Sequence, residues 1–198
     1  KILIRLVLLA SGIVLSTQGM SQEMDTLLPG MTLDSFKKVE GENKLRLRQL
    51  NGSSSNKSIS VKISSSSIIW NSWGIGQTTE NFKDSKSGYA FDMNTQFLDL
   101  SYTLGRLWTM TLGIGIPSGT GKITTSSNTE YKSSTISGSG YFAVFGLEIG
   151  IFEFLVGHRV NNIEYSKFES GSTALDTNYK VTGGQTMVGL GLSFSVVK

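Results

Sequence analysis

The sequence predicts an all-β chain folded as a closed, antiparallel, up-and-down β-barrel of eight strands that crosses a membrane. Three observations carry this prediction. From about Trp70 to Phe194, large apolar residues hold one parity, and Gly, Ser, Thr or charged residues hold the other. Leu107 to Ile116 is the clearest stretch, with Trp108, Met110, Leu112, Ile114 and Ile116 on one face and Thr109, Thr111, Gly113 and Gly115 on the opposite one. A strand with one greasy and one small, polar side suits a wall between lipid and lumen. The connections between such strands are alternately tight and long, as at the two rims of a membrane barrel. Aromatic side chains, finally, collect beside the tight connections, where an interface with lipid headgroups would hold them.

Composition agrees with one all-β domain. Of 198 residues, 38% are apolar and 17% charged, with 23 Gly against 2 Pro, which excludes both a helical membrane protein and a disordered chain. Residues 1–19 read as a secretory signal peptide, because Lys1 and Arg5 flank an apolar run, Leu6 to Leu15, that is too short to span a bilayer. Cleavage after Gly19 would remove both charges and lower the formal net charge from +3 to +1, so the basic balance is no argument for nucleic acid. With no Cys there is no lipid-attachment residue, disulfide framework or thiolate metal site. Residues 20–43, with Pro29-Gly30 and Gly41-Glu42-Asn43, lack a sustained period and read as an irregular periplasmic lead-in.

The barrel domain is then 44–198. Lys44 to Leu50 alternates strictly; Asn51 to Lys57 reads as a polar loop with a turn signal at Asn51-Gly52, leading into a strand over 58–65 with Ile59, Val61 and Ile63 in phase. Longer strands follow at roughly 68–82, 89–104, 106–120, 133–149, 151–168 and 179–196. Leu104-Gly105-Arg106 and Ile149-Gly150-Ile151 are the tight connections, while 83–88, 121–132 and 169–178 are longer and rich in Ser, Thr, Gly, Asn and Lys. Tyr102, Trp108, Phe152, Phe154 and Phe194 all fall at the tight-turn rim, the expected membrane-interface aromatics.

The final stretch Gly189-Leu190-Gly191-Leu192-Ser193-Phe194 resembles the Gly-x-x-Φ-x-Φ assembly signal on the last strand of small bacterial outer-membrane barrels of the OmpA/OmpX/OmpW type. Met187 stands where that group has a polar residue, and Ser195 to Lys198 run past its terminal aromatic. The resemblance implies a place in the bacterial outer membrane, insertion by the barrel assembly machinery, and outer-membrane lipid and lipopolysaccharide as surroundings.

If the apolar parity faces lipid, the lumen receives Lys44, Arg46, Arg48, Lys62, Asp99, Glu148, Glu153 and Arg159. An eight-strand interior is only wide enough to be filled by side chains. Two readings compete. One is a gate in which Glu148, Glu153 and Arg159 exchange partners; the other, favoured three to one on the rough cost of unpaired buried charge, is a fixed plug. Inward glycines at 113, 115, 146, 157, 189 and 191 make room for long side chains to cross.

No catalytic site, metal site or cofactor motif emerges. His158, the one histidine, shares the lipid-facing parity with Phe152, Phe154 and Val156, and Glu164 and Ser166 lie roughly 20 Å along the strand, beyond proton-transfer reach. Gly119-Thr120-Gly121-Lys122 lacks the remaining positions of a phosphate loop and reads as polar loop. The sequence therefore predicts a non-enzymatic outer-membrane barrel with a plugged lumen and a structural or surface-interaction role, any ligand of its long loops being unreadable. A small channel or carrier is the alternative; a lipid A modifying enzyme and a soluble lipocalin-like barrel rank lower, the latter because Leu98, Leu100, Leu112 and Ile114 would form a large exposed apolar patch.

Overall fold

The computed structural model describes residues 43–196. The expected signal peptide, and the lead-in up to residue 42, lie outside the described residues. The chain forms β1 (Asn43–Asn56), β2 (Ile59–Trp70), β3 (Trp73–Lys86), β4 (Tyr89–Gly105), β5 (Trp108–Thr124), β6 (Glu130–Ser133), β7 (Thr135–Ile149), β8 (Phe152–Ser166), β9 (Phe168–Ser170), β10 (Thr173–Leu175) and β11 (Tyr179–Val196). β1, β2, β3, β4, β5, β7, β8 and β11 are the eight long strands of a closed antiparallel barrel, sealed where β1 pairs with β11 and β5 with β7. The short β6, β9 and β10 extend the sheet beyond the long-loop rim.

The expected strand over 68–82 is two strands. Ile68 to Trp70 end β2, a tight turn occupies Asn71-Ser72, and β3 starts at Trp73. Asn71 makes the turn by adopting φ 57°, a left-handed conformation that Asn tolerates better than other non-glycine residues. Its N–H donates to Lys44 O at 2.7 Å, and its Oδ1 accepts from Lys44 N–H at 3.0 Å. Asn51-Gly52, expected to turn, lies inside β1, and the chain reverses instead after Asn56. Similarly, Gly119 to Lys122 belong to β5 rather than to a loop, and the expected 133–149 strand is interrupted at Ser134.

Hydrogen-bonded partners followed once round the wall run from Phe194 through Leu45, Trp70, Trp73, Tyr102, Leu112, Ala143 and His158 to Thr186, eight residues from the start on the same strand. Eight strands with a stagger of eight tilt by about 36° and stack their inward side chains in tiers, four to a tier from alternate strands. On β8, the outward set from Phe152 to Val160 spans about 21 Å along the barrel axis at that tilt. That height approaches the roughly 25 Å apolar band of a membrane barrel.

Above this band the apolar residues change sides. Leu98, Leu100 and Tyr102 of β4 face out, but nearer the long loops Met93 and Phe97 are fully buried in the lumen, while Asp92 and Asn94 take the outer face. β8 does the same with Ile163 and Tyr165, and β2 with Val61 and Ile63. The wall is apolar outside and polar inside below this level, and apolar inside with a polar outer face above it.

Candidate functional site

Among the described residues, buried charged side chains converge in the lumen, and they do so in layers. At the short-turn rim, Lys44, Arg46 and Arg48 of β1 meet Glu148 of β7 and Glu153 of β8. Alternation on β1 aims all three cations inward, and the β7–β8 turn at Gly150 sets the two carboxylates on adjoining strands. Lys44 pairs with Glu148. Arg48 Nε donates to Glu153 Oε2 at 2.7 Å and its Nη2 to the other carboxylate oxygen, a bidentate fork that fixes both planes. Thr109 also donates to Glu153, at 2.8 Å, and Ser193 to Glu148, at 3.0 Å. Arg46 lies between the carboxylates, 3.6 Å from Glu148 and 3.9 Å from Glu153, and its Nε makes no hydrogen bond. Glu153 is wholly buried.

Above this cluster comes an apolar layer of Leu50, Ile63, Val144, Leu155 and Met187, flanked by Phe142. A second ionic layer follows. Arg159 donates to both oxygens of Asp99 at 3.0–3.1 Å, to Asn161 Oδ1 at 2.9 Å and to Thr78 Oγ1 at 3.3 Å, with its guanidinium 4.0 Å over the Phe97 ring. Asn161 in turn donates to Glu80. Gly115 makes this possible, since a Cβ there would occupy the space of Arg159 Nη2 and Asp99 Oδ1. A second apolar layer, Met93, Phe97, Ile123, Ile163, Tyr165, Phe168 and Val181, closes the top. At the mouth beyond it, Phe91 stacks on Tyr179 at 4.3 Å, and the Tyr179 hydroxyl donates to Asp84 at 3.2 Å. Burial and the neighbouring Asp84 carboxylate push the Tyr179 phenol up to about 12.

Seven of the eight expected lumenal charges are thus inside, in two separate groups rather than one network. Arg159 shares no partner with Glu148 or Glu153, so the expected exchange among those three is not what the geometry provides. Lys62 is a correction: it is exposed on the outer wall, between buried Val61 and Ile63. It lies above the level where the apolar side switches from outward to inward, so the rule that apolar means outward fails there. Glu80 was missed, although it continues the inward set Gly74, Gly76 and Thr78 of β3, a signal that was available once the strand began at Trp73.

The expected aromatics stand at the short-turn rim, with Phe152 and Phe154 more than half exposed, Phe194 exposed, and Tyr102 and Trp108 half-buried. Trp70 and Trp73 join them, Trp73 meeting Tyr102 edge-on at 5.0 Å. His158 faces outward with its Nδ1 3.3 Å from Thr186 Oγ1, whereas Glu164 is engaged by Lys180 at 3.3 Å and by Asn178. Lys122 of the expected loop segment pairs with Glu130 at 3.1 Å. Among the described residues no group of three or more His, Cys, Asp or Glu could hold a metal ion.

No protein-family model matches the chain, and no curated protein matches it. Among solved structures it is similar to Neisserial surface protein A, at 14% identity and a TM-score of 0.48, over 78% of this chain and 100% of that one. It is also similar to the N-terminal β-barrel domain of Pseudomonas aeruginosa OprF, at 12% identity and a TM-score of 0.44, over 78% of this chain and 100% of that one. A third likeness is to Ail, the attachment invasion locus protein of Yersinia pestis, at 14% identity and a TM-score of 0.44, over 79% of this chain and 100% of that one.

Proposed function

We propose that this chain is an integral barrel of the bacterial outer membrane with a closed lumen, serving a structural or surface-interaction role and performing no catalysis. The observation that carries the reading is the stratified interior: two ionic layers alternate with two apolar layers, each lumenal cation lies within 4 Å of a carboxylate, and Glu80 accepts from Asn161. A hydrated ion would have to shed water at each apolar layer, which disfavours conduction. The exposed belt of Leu98, Leu100, Leu112, Ile114, Phe154 and Leu190 supports residence in lipid. Outer-membrane lipid, lipopolysaccharide and the assembly machinery are the partners this reading brings, the last through the Gly189 to Phe194 stretch on the closing strand. The Ser/Thr-rich hairpins above the membrane are where a surface ligand would bind.

The test is single-channel recording of the refolded protein in planar bilayers, beside Glu148→Gln and Arg159→Gln variants. Silence in all three is the expected result. Regular conductance steps in the unmodified protein would refute a closed lumen, and recovery of the protein in a soluble fraction would refute the location.

A further inference from the structure

The apolar belt is not uniform around the barrel. With one residue of stagger per strand, the tier that holds Leu98, Ile116 and Val160 on β4, β5 and β8 holds Ser53, Ser64 and Thr79 on β1, β2 and β3. Lower, at the heights of Ile114, Leu100 and Val156, the same three strands present Gln77, Ser66 and Gln49 in descending steps, with Ile75 of β3 level with Gln49. Leu47, Ile68, Trp70 and Trp73 continue the belt toward the short-turn rim. The result is a polar notch cut into the upper half of the membrane-facing wall. An open groove of about 650 Å³ lined by Asn51, Ser53, Ser64, Thr79 and Thr186 lies in it, and another of about 660 Å³ runs along its lower edge, where Gln49, Ser66 and Gln77 meet Leu47, Ile68 and Leu190.

We propose that this notch is the contact face of a second copy of the same chain. Side-chain amides and hydroxyls in hydrocarbon need partners, and acyl chains supply none. Among the described residues, Gln49, Asn51, Ser64, Ser66 and Gln77 make no side-chain hydrogen bond within the chain. Each of these groups both donates and accepts, so the patch complements itself across a twofold axis normal to the membrane, which sets equal tiers of two barrels against each other. No formal charge lies below Lys62 on this face, so two copies meet without repulsion, and small side chains let the walls approach closely. A glycolipid headgroup would engage only the top of the notch, since Gln49 and Ser66 lie on the order of 10 Å below the upper edge of the belt.

This inference rests on the membrane-spanning reading, and the test separates the two. The chain contains no Cys, so Ser66→Cys and, on the far wall, Ile114→Cys each provide one thiol. The refolded full-length variants in phosphatidylcholine vesicles are oxidised and run on non-reducing gels. Ser66→Cys is expected to give a band at twice the monomer mass that persists when lipid is added in excess, whereas Ile114→Cys stays monomeric. Adding Gln49→Leu and Gln77→Leu to Ser66→Cys is expected to abolish the band while the heat-modifiable gel shift of the folded barrel remains. A monomeric Ser66→Cys, equal bands from both sites, or a band lost on adding lipopolysaccharide would overturn the proposal. Quenching of the chain's tryptophans by brominated lipid, read in the same vesicles, reports the membrane reading by itself; without quenching, both fall.

Discussion

Replacing Arg159 by Met removes the only cation of the upper ionic layer among the described residues. Asp99 then loses its three charge-assisted bonds, at 3.0–3.1 Å, and Glu80 loses its nearest counter-charge, in a tier where Asp99 and Glu80 are each about 3% exposed. Breaking a buried ion pair from one side costs about 3–5 kcal/mol, because the remaining carboxylates must be neutralised or rehydrated. That is a loss of roughly two to three and a half powers of ten in the folding equilibrium. Arg159→Met with Asp99→Asn should recover part of this, since one stranded charge is then removed. The assay is urea unfolding in phosphatidylcholine vesicles, followed by tryptophan emission and by gel mobility of unheated samples. A loss below about 1 kcal/mol for the single variant would mean that water already reaches Asp99, and the dry, layered lumen would be refuted.

Arg48→Met, which strands the wholly buried Glu153, is expected to cost a similar 3–5 kcal/mol in the same titration, whereas Lys62→Glu on the outer wall should stay within about 0.5 kcal/mol. Gly115→Val presses a side chain into Arg159 and Asp99 and should lose about 1–3 kcal/mol, against little change for Gly183→Val, where a Cβ meets nothing within 4 Å. Tyr179 titrates near 10 when unfolded and about 12 when folded, so its contribution is complete below pH 10 and is lost as pH rises toward 12. Tyr179→Phe should flatten that alkaline decline relative to the unmodified protein, and parallel curves would refute the assignment.

The barrel was legible because alternation and turn chemistry speak directly about the wall. Trp108 to Ile116 needs no context to be read as one strand with an apolar outer face. The errors have separate causes. Periodicity of two fixes which residues lie together but not which set faces in, and the apolar set changes sides part-way up the wall. At Val61 and Ile63 this reversed the assignment of Lys62. The turn at Asn71-Ser72 escaped because it carries neither Gly nor Pro, which concealed Glu80 and the pairing of Trp70 with Trp73. Division of the charges into two layers was beyond local reading, since it depends on the stagger between strands far apart in the chain.

The seam between β1 and β11 has a consequence for how the molecule comes into being. Arg48 finds Glu153 across 105 positions of chain and Lys44 finds Glu148 across 104, while β1 is also zipped to the final strand. Such distant pairings make for slow assembly, because the ends must be brought together before any contact rewards it. Without Leu190 to Phe194 the chain would present a sheet with two open edges and stranded cations on its first strand. Completion is therefore all-or-none, and truncation by a single strand should leave an open-edged sheet prone to aggregation and proteolysis rather than a smaller barrel.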